Sequence, residues 1–295
     1  MRRISGFLVA AILTSAIGCS PSDRLLLRHK FRKGQVLRYR LQIAEHRQVS
    51  GKGSEQQLER QSDIIIAVNV LDTMPAGDDP ERTWARLRVK LESGNTTVMR
   101  NIQQTSADVA SLPGADRAAL LIVDDLGRLV KVEQPAAVIL LGGDSMDLTG
   151  FFGNTSFPHK GQRAGDAWMH RVPLRLPGTD PRKDAITTSM RLVELTEKDG
   201  HKCAKIRYTV EGPPESTPRK GVGVTIQLSG EGESYFDYEA GVEVEAEQKM
   251  VITATHGMTL PSGGRQEIQS ISSSEVSMRL VSDAAPQAAP RQSDF

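Results

Sequence analysis

Apolar and polar residues alternate with a period of two through most of this chain. Val36-Leu37-Arg38-Tyr39-Arg40-Leu41-Gln42-Ile43 puts Leu37, Tyr39, Leu41 and Ile43 on one side and Arg38, Arg40 and Gln42 on the other, as in a strand buried on one face. Residues 84–91, 190–195, 205–210, 242–246 and 276–280 behave alike, with Gly, Pro, Asp and Asn punctuating the intervals. Strands with one solvated face belong to antiparallel sheets. The expected fold class is therefore mainly β: curved antiparallel sheets in two related halves, half-barrel or sandwich-like, with one or two short helices. The helix-compatible stretches are residues 134–152, where Pro135 suits a first turn ahead of Ala136-Ala137-Val138-Ile139-Leu140-Leu141, and residues 106–112. Residues 134–152 join the halves and are the most apolar part of the mature chain, so they are expected to cover the sheets as a core plug or as a lid.

The halves run through the same order of features, which predicts an internal repeat. Lys33-Gly34-Gln35 opens the first and Ala164-Gly165-Asp166-Ala167-Trp168 the second. Gly94 and Gly212 close corresponding strands, and Asp125-Leu126-Gly127-Arg128 answers Tyr238-Glu239-Ala240-Gly241 as a hairpin tip. Gly34, Gly127, Gly165, Asp166, Trp168 and Gly241 are accordingly expected to be structural: glycines for left-handed turn positions, Asp166 for the turn, Trp168 for the core.

The N-terminus carries a different signal. Met1-Arg2-Arg3 is followed by an apolar stretch from Ile4 to Leu13 and by Thr14-Ser15-Ala16-Ile17-Gly18-Cys19, a basic region, a short apolar region and small residues at a cleavage zone. The apolar run is about half of the roughly 20 residues a spanning helix needs. Ala16-Ile17-Gly18-Cys19 resembles the bacterial lipobox, which implies cleavage before Cys19 and acylation of its sulfur. Two or three acyl chains hold a protein stably on a membrane, at about 0.8 kcal/mol per buried methylene. Ser20 after the cysteine favours the outer membrane where the host has one. The expected organisation is a lipoprotein signal peptide over 1–18, a lipidated anchor and linker over 19–25, a first β unit over 26–133, a connecting helix or loop over 134–159, a second β unit over 160–282 and a disordered tail over 283–295.

Lys30-Phe31-Arg32-Lys33-Gly34-Gln35-Val36-Leu37-Arg38-Tyr39, Gly165-Asp166-Ala167-Trp168 and Tyr235-Phe236-Asp237 together resemble a set of uncharacterised bacterial lipoproteins. The shared motifs are turn and core signals, so the resemblance implies a common fold without a common chemistry. It also suggests a likeness to periplasmic lipoprotein carriers with an open half-barrel.

Charge narrows the partners. The formal charge is +1, and removal of residues 1–18 takes Arg2 and Arg3 away to leave −1. Phosphate binding shows as clustered basic excess, so no nucleic acid partner is expected. The expected partners are a membrane, through lipid on Cys19, and an apolar ligand or an envelope protein. With Cys19 lipidated, Cys203 is the one thiol left and is expected to be a half-buried strand residue. The six histidines are scattered singly, and the chain has no nucleophile elbow, phosphate loop or dinucleotide fingerprint. No catalytic residue, metal site or cofactor is expected; Asp124-Asp125 reads as a hairpin tip, because adjacent strand residues point to opposite faces. The leading expectation is a non-enzymatic envelope lipoprotein acting as a binding or interaction module. A carrier of apolar ligand comes second, and a hydrolase third.

Overall fold

The computed structural model describes residues 24–51, 54–76, 79–141, 145–151, 156–173, 185–212, 222–259 and 265–284. The expected signal peptide, Cys19 and most of the expected tail lie outside them. Fourteen strands follow in order: β1 (Val36–Gly51), β2 (Ser54–Ala76), β3 (Asp79–Arg100), β4 (Gln103–Asp108), β5 (Ala118–Asp124), β6 (Leu129–Gln134), β7 (Ala137–Ile139), β8 (Ser145–Asp147), β9 (Ala167–Pro173), β10 (Ala185–Lys198), β11 (His201–Glu211), β12 (Val222–Asp237), β13 (Val242–Thr259) and β14 (Arg265–Ala284). The alternating segments read from the sequence all fall inside these strands.

As expected, the chain is mainly β and antiparallel: twelve strands form one sheet in the order β6-β5-β3-β2-β1-β14-β13-β12-β11-β10-β9, with β4 added alongside β3. The described residues of 134–152 are not helical. They form the β7–β8 hairpin and a 3-10 turn at Leu148–Phe151, and a second such turn at Val109–Ser111 stands where residues 106–112 were expected to be helical.

The strands pack two apolar clusters against one sheet face. Leu37, Ile64, Ile66, Val68, Leu87, Val89, Leu121 and Val123 make the first, covered by Val109, Ala136, Val138, Leu140 and Leu148. Met190, Leu192, Ala204, Ile206, Tyr208 and Phe236 make the second, covered by Leu27, Phe157 and Leu126. Leu126 is the tip between β5 and β6, near one end of the strand order, yet it packs on β10–β12 near the other. The sheet therefore curls back on itself. A strap ahead of β1 holds the curl: Leu25 pairs with Gln162, His29 N–H donates to Asp125 O (2.7 Å) and Lys30 N–H to Gly241 O (3.2 Å). Lys30 lies so close to Gly241, at φ 73°, that a Cβ there would collide with its backbone nitrogen.

The halves share local construction. Ahead of β1, Gln35 N–H donates to Arg32 O (2.9 Å), and Arg32 N–H to the Gln35 side chain (3.1 Å); ahead of β9, Asp166 and Arg163 make the same two bonds at 3.0 and 3.2 Å. Gly34 then donates to Val70 O and Gly165 to Leu192 O. Directly after those acceptors the ladders slip by one residue, at Leu71 and at Val193. The β5–β6 and β12–β13 hairpins open on Asp124 and Asp237, whose side chains accept two backbone N–H bonds each. Their second oxygens bind Arg82 and His201, each at 2.8 Å. Beyond the hairpin turns, Val130 and Val244 bulge out of register. Gly94 and Gly212 do not correspond in this register: Gly94 lies opposite Ile64 on β2, whereas Gly212 follows β11 and donates to Leu228 on β12.

Candidate functional site

A groove with a volume of about 960 Å³ crosses seven neighbouring strands, from β3 through β2, β1, β14, β13 and β12 to β11. Two parallel rows of side chains wall it. Asn95, Asp63, Gln42, Ser277, Glu247, Glu233 and Arg207 form one row, and Thr97, Gln61, Ala44, Glu275, Lys249, Glu231 and Thr209 the other. All belong to the solvated phase of their strands. The residues between the rows, including Ser62, Ile43 and Tyr208, point the other way, towards the core. Gly232 sits among them because the Tyr208 ring lies across its position, 2.6 Å from where a Cβ would be.

The groove carries an acidic excess, with Asp63, Glu231, Glu233, Glu247 and Glu275 against Arg207 and Lys249. Arg40 binds Asp63 (2.8 Å) and holds its carboxyl below the ordinary range, chiefly through that hydrogen bond. Lys249 pairs with Glu275 (2.8 Å), and its ammonium is held above its ordinary range by that partner. Lys205 reaches Glu233 at 3.3 Å from outside the rows. Glu233 nevertheless stands directly opposite Glu247 across β12 and β13, with Glu231 next along β12 on the same face. Like charges directly opposite one another destabilise a sheet.

Two other clusters of ionisable groups stand apart from the groove. Asp124 and Asp125, both buried, are clamped by Arg82 (2.8 and 3.1 Å), by Arg128 on Asp124 (2.7 Å) and by Arg28 on Asp125 (3.3 Å). With these partners and their turn bonds, the two acids fasten the hairpin tip to the strap and β3. The second cluster surrounds a void of about 10 Å³ lined by His29, Phe157, Met190, Ile206, Ser234, Phe236 and Glu243, room for about one water. Burial pushes the Glu243 carboxyl up to about 7, against a hydrogen bond from Ser234. Burial lowers His29 to about 4, against the pull of Asp124 and a bond to Gly241.

The residues singled out from sequence occupy turns and core margins rather than the groove. Gly34, Gly127, Gly165 and Gly241 all have positive φ, between 73° and 95°. Asp166 closes its turn, and Trp168, half-buried at the edge of the second cluster, donates its indole N–H to Ser156 O (2.8 Å). Cys203 is fully buried rather than half-buried, and burial, reinforced by Asp237, raises its thiol to about 11. Glu243 was missed because the 242–246 alternation puts it outside with Glu245; the bulge at Val244 turns it towards Phe236.

No family model and no curated protein matches the chain. Among solved structures it is similar to a chain described as "Lipid-protein interactions in lipovitellin", with a TM-score of 0.46 and 9% identity, over 89% of this chain and 26% of that one. A likeness at that level assigns neither a fold nor a ligand.

Proposed function

We propose that this protein is a non-enzymatic binding module of the bacterial cell envelope, exported by residues 1–18, anchored by lipid on Cys19, and presenting its groove to an extended hydrophilic ligand that carries amino groups. The supporting observation is the acidic excess of the groove, where Asp63, Glu231, Glu233, Glu247 and Glu275 outnumber Arg207 and Lys249. Glu233 faces Glu247 across the β12–β13 ladder beside Glu231, with Lys205, Arg207 and Lys249 as the nearby bases. Sequences break a local rule of stability chiefly at functional sites. Seven strands about 4.8 Å apart span roughly 29 Å, enough for several units of a linear ligand lying across them. The two halves, with their shared turns and bulges, fit two related β units joined by residues 134–159.

An apolar carrier would need uncovered apolar space. Among the described residues the two buried apolar clusters are covered by the chain's own β7–β8 segment and strap.

Calorimetric titration of the lipid-free mature domain with a glucosamine oligomer, against its N-acetylated form and dextran sulfate, tests the groove. The amino form should bind best, and Glu231→Gln with Glu247→Gln should weaken it severalfold. Preference for dextran sulfate, or indifference to both substitutions, would end the reading. The anchor is checked separately by metabolic labelling with a fatty acid, where wild type should take up label and Cys19→Ala should not. An unlabelled wild type would remove the membrane anchor.

A further inference from the structure

Matched turn to turn and bulge to bulge, β6 corresponds to β13. Asp124 and Asp237 open the two hairpins, Val130 and Val244 bulge out, and Val132 stands opposite Leu121 as Ala246 stands opposite Ser234. The far edge of β13 carries β14, with Met278 opposite Ala246 and Arg279 opposite Glu245. The far edge of β6 carries no strand among the described residues.

Three side chains on β6 leave apolar surface in solvent. Leu129, Val130 and Val132 are 37, 43 and 38% exposed. Leu129 lies opposite Val123 and Val132 opposite Leu121, so both extend the apolar face of the first cluster past β5. Edge strands are usually blunted by shortness, charge, bulges, proline or a covering loop, because their free N–H and C=O groups accept any extended chain. The β6 strand has bulges at Val130 and Glu133 and the charges of Lys131 and Glu133, and no strand covers it among the described residues. Of the two charges on β6, Glu133 is engaged by Arg86 (2.6 Å), which leaves Lys131 to select what pairs there.

We propose that the free edge of β6 is a docking site for an extended strand of a partner protein. The strand pairs antiparallel to β6 as β14 pairs with β13, and it carries an apolar residue opposite Val132 and an acidic residue opposite Lys131. The interior precedent sets both requirements. Met278 covers Ala246, while Arg279 answers Glu245 at 4.0 Å; at β6 the sign is reversed, because Lys131 occupies the place of Glu245. A second copy lending its own β14 would set Arg279 against Lys131, a like-charge pair that the ladder disfavours. Main-chain bonds along the edge supply affinity, and the alternating side chains supply selectivity.

The test uses the full chain and a synthetic peptide of residues 272–282 carrying Arg279→Glu, with the unsubstituted peptide as control. The substituted peptide should slow amide exchange at residues 129–134 and bind about fivefold tighter than the control. Lys131→Glu should reverse that preference, a readout that a change in folding would not produce. Protection confined to β9, no protection anywhere, or an unchanged preference in Lys131→Glu would overturn the proposal.

Discussion

Aspartate in place of Val138 is expected to leave the protein unfolded. Val138 is fully buried on the short β7 strand, and Ala136, Leu140 and Leu148 beside it are at most 5% exposed in the same cluster. The segment is fastened by backbone bonds from Ile139 to Pro113 O and from Leu148 to Ala136 O, both 3.0 Å. A buried, unpaired carboxylate costs several kcal/mol, a large part of the roughly 5–15 kcal/mol by which domains are stable. Leu148→Ala gives the graded version: a loss of about 2–5 kcal/mol and a fall in Tm on the order of 10 °C. Circular dichroism melts of both variants, with a solvatochromic apolar dye present, separate a plug from a lid. A Val138→Asp protein that stays folded at the wild-type Tm and gains dye binding would mean that the segment opens, and the apolar carrier would then replace the polar binding module.

How much of this was legible in the sequence depends on the range of the interaction that decides each feature. The turns at Gly34, Gly165, Asp124 and Gly241 are closed by residues within four positions of one another, so glycine and aspartate announce them. Strand phase was legible wherever polar residues marked the solvated face. It failed over residues 136–141, where Ala136, Val138 and Leu140 point inward and Ala137, Ile139 and Leu141 are half-buried or exposed. All six are apolar, so the period of two is invisible and the run reads equally well as helix. Phase failed again at Glu243, since one bulge reverses the faces after it and nothing in Val242-Glu243-Val244 announces that. The groove left no sequence signal at all. Its walls come from seven strands scattered from Gln42 to Ser277, each contributing polar residues that look like an ordinary solvated face.

Stability should pass through a maximum near pH ~5.5, with its two limbs set by Glu243 and His29. Glu243 is raised from 4.5 to about 7 in the folded protein, chiefly by burial. Its contribution is therefore complete below pH 4.5 and is lost as pH rises through 7. His29 is lowered from 6.5 to about 4, again chiefly by burial, so its contribution is complete above pH 6.5 and is lost as pH falls through 4. Each group contributes about 3 kcal/mol at most, because a tenfold change in proton affinity corresponds to about 1.4 kcal/mol, but the two windows overlap with opposite slopes, so the net maximum is shallow, under ~1 kcal/mol. Both groups line the void beneath the strap, where His29 also stacks on Phe31 with ring centroids 5.2 Å apart, so the strap is where the loss should first show. Glu243→Gln keeps the shape and removes the ionisation. Urea midpoints measured from about pH 4 to 9 should then rise from about pH 5 to 6.5 and level off above that in the variant, where His29 alone titrates, while wild type stays nearly level, and above about pH 7 the variant should be the more stable protein. A wild type whose midpoint rises in parallel with the variant from about pH 5 to 6.5 would show that the Glu243 carboxyl reaches water and that the strap does not seal the void.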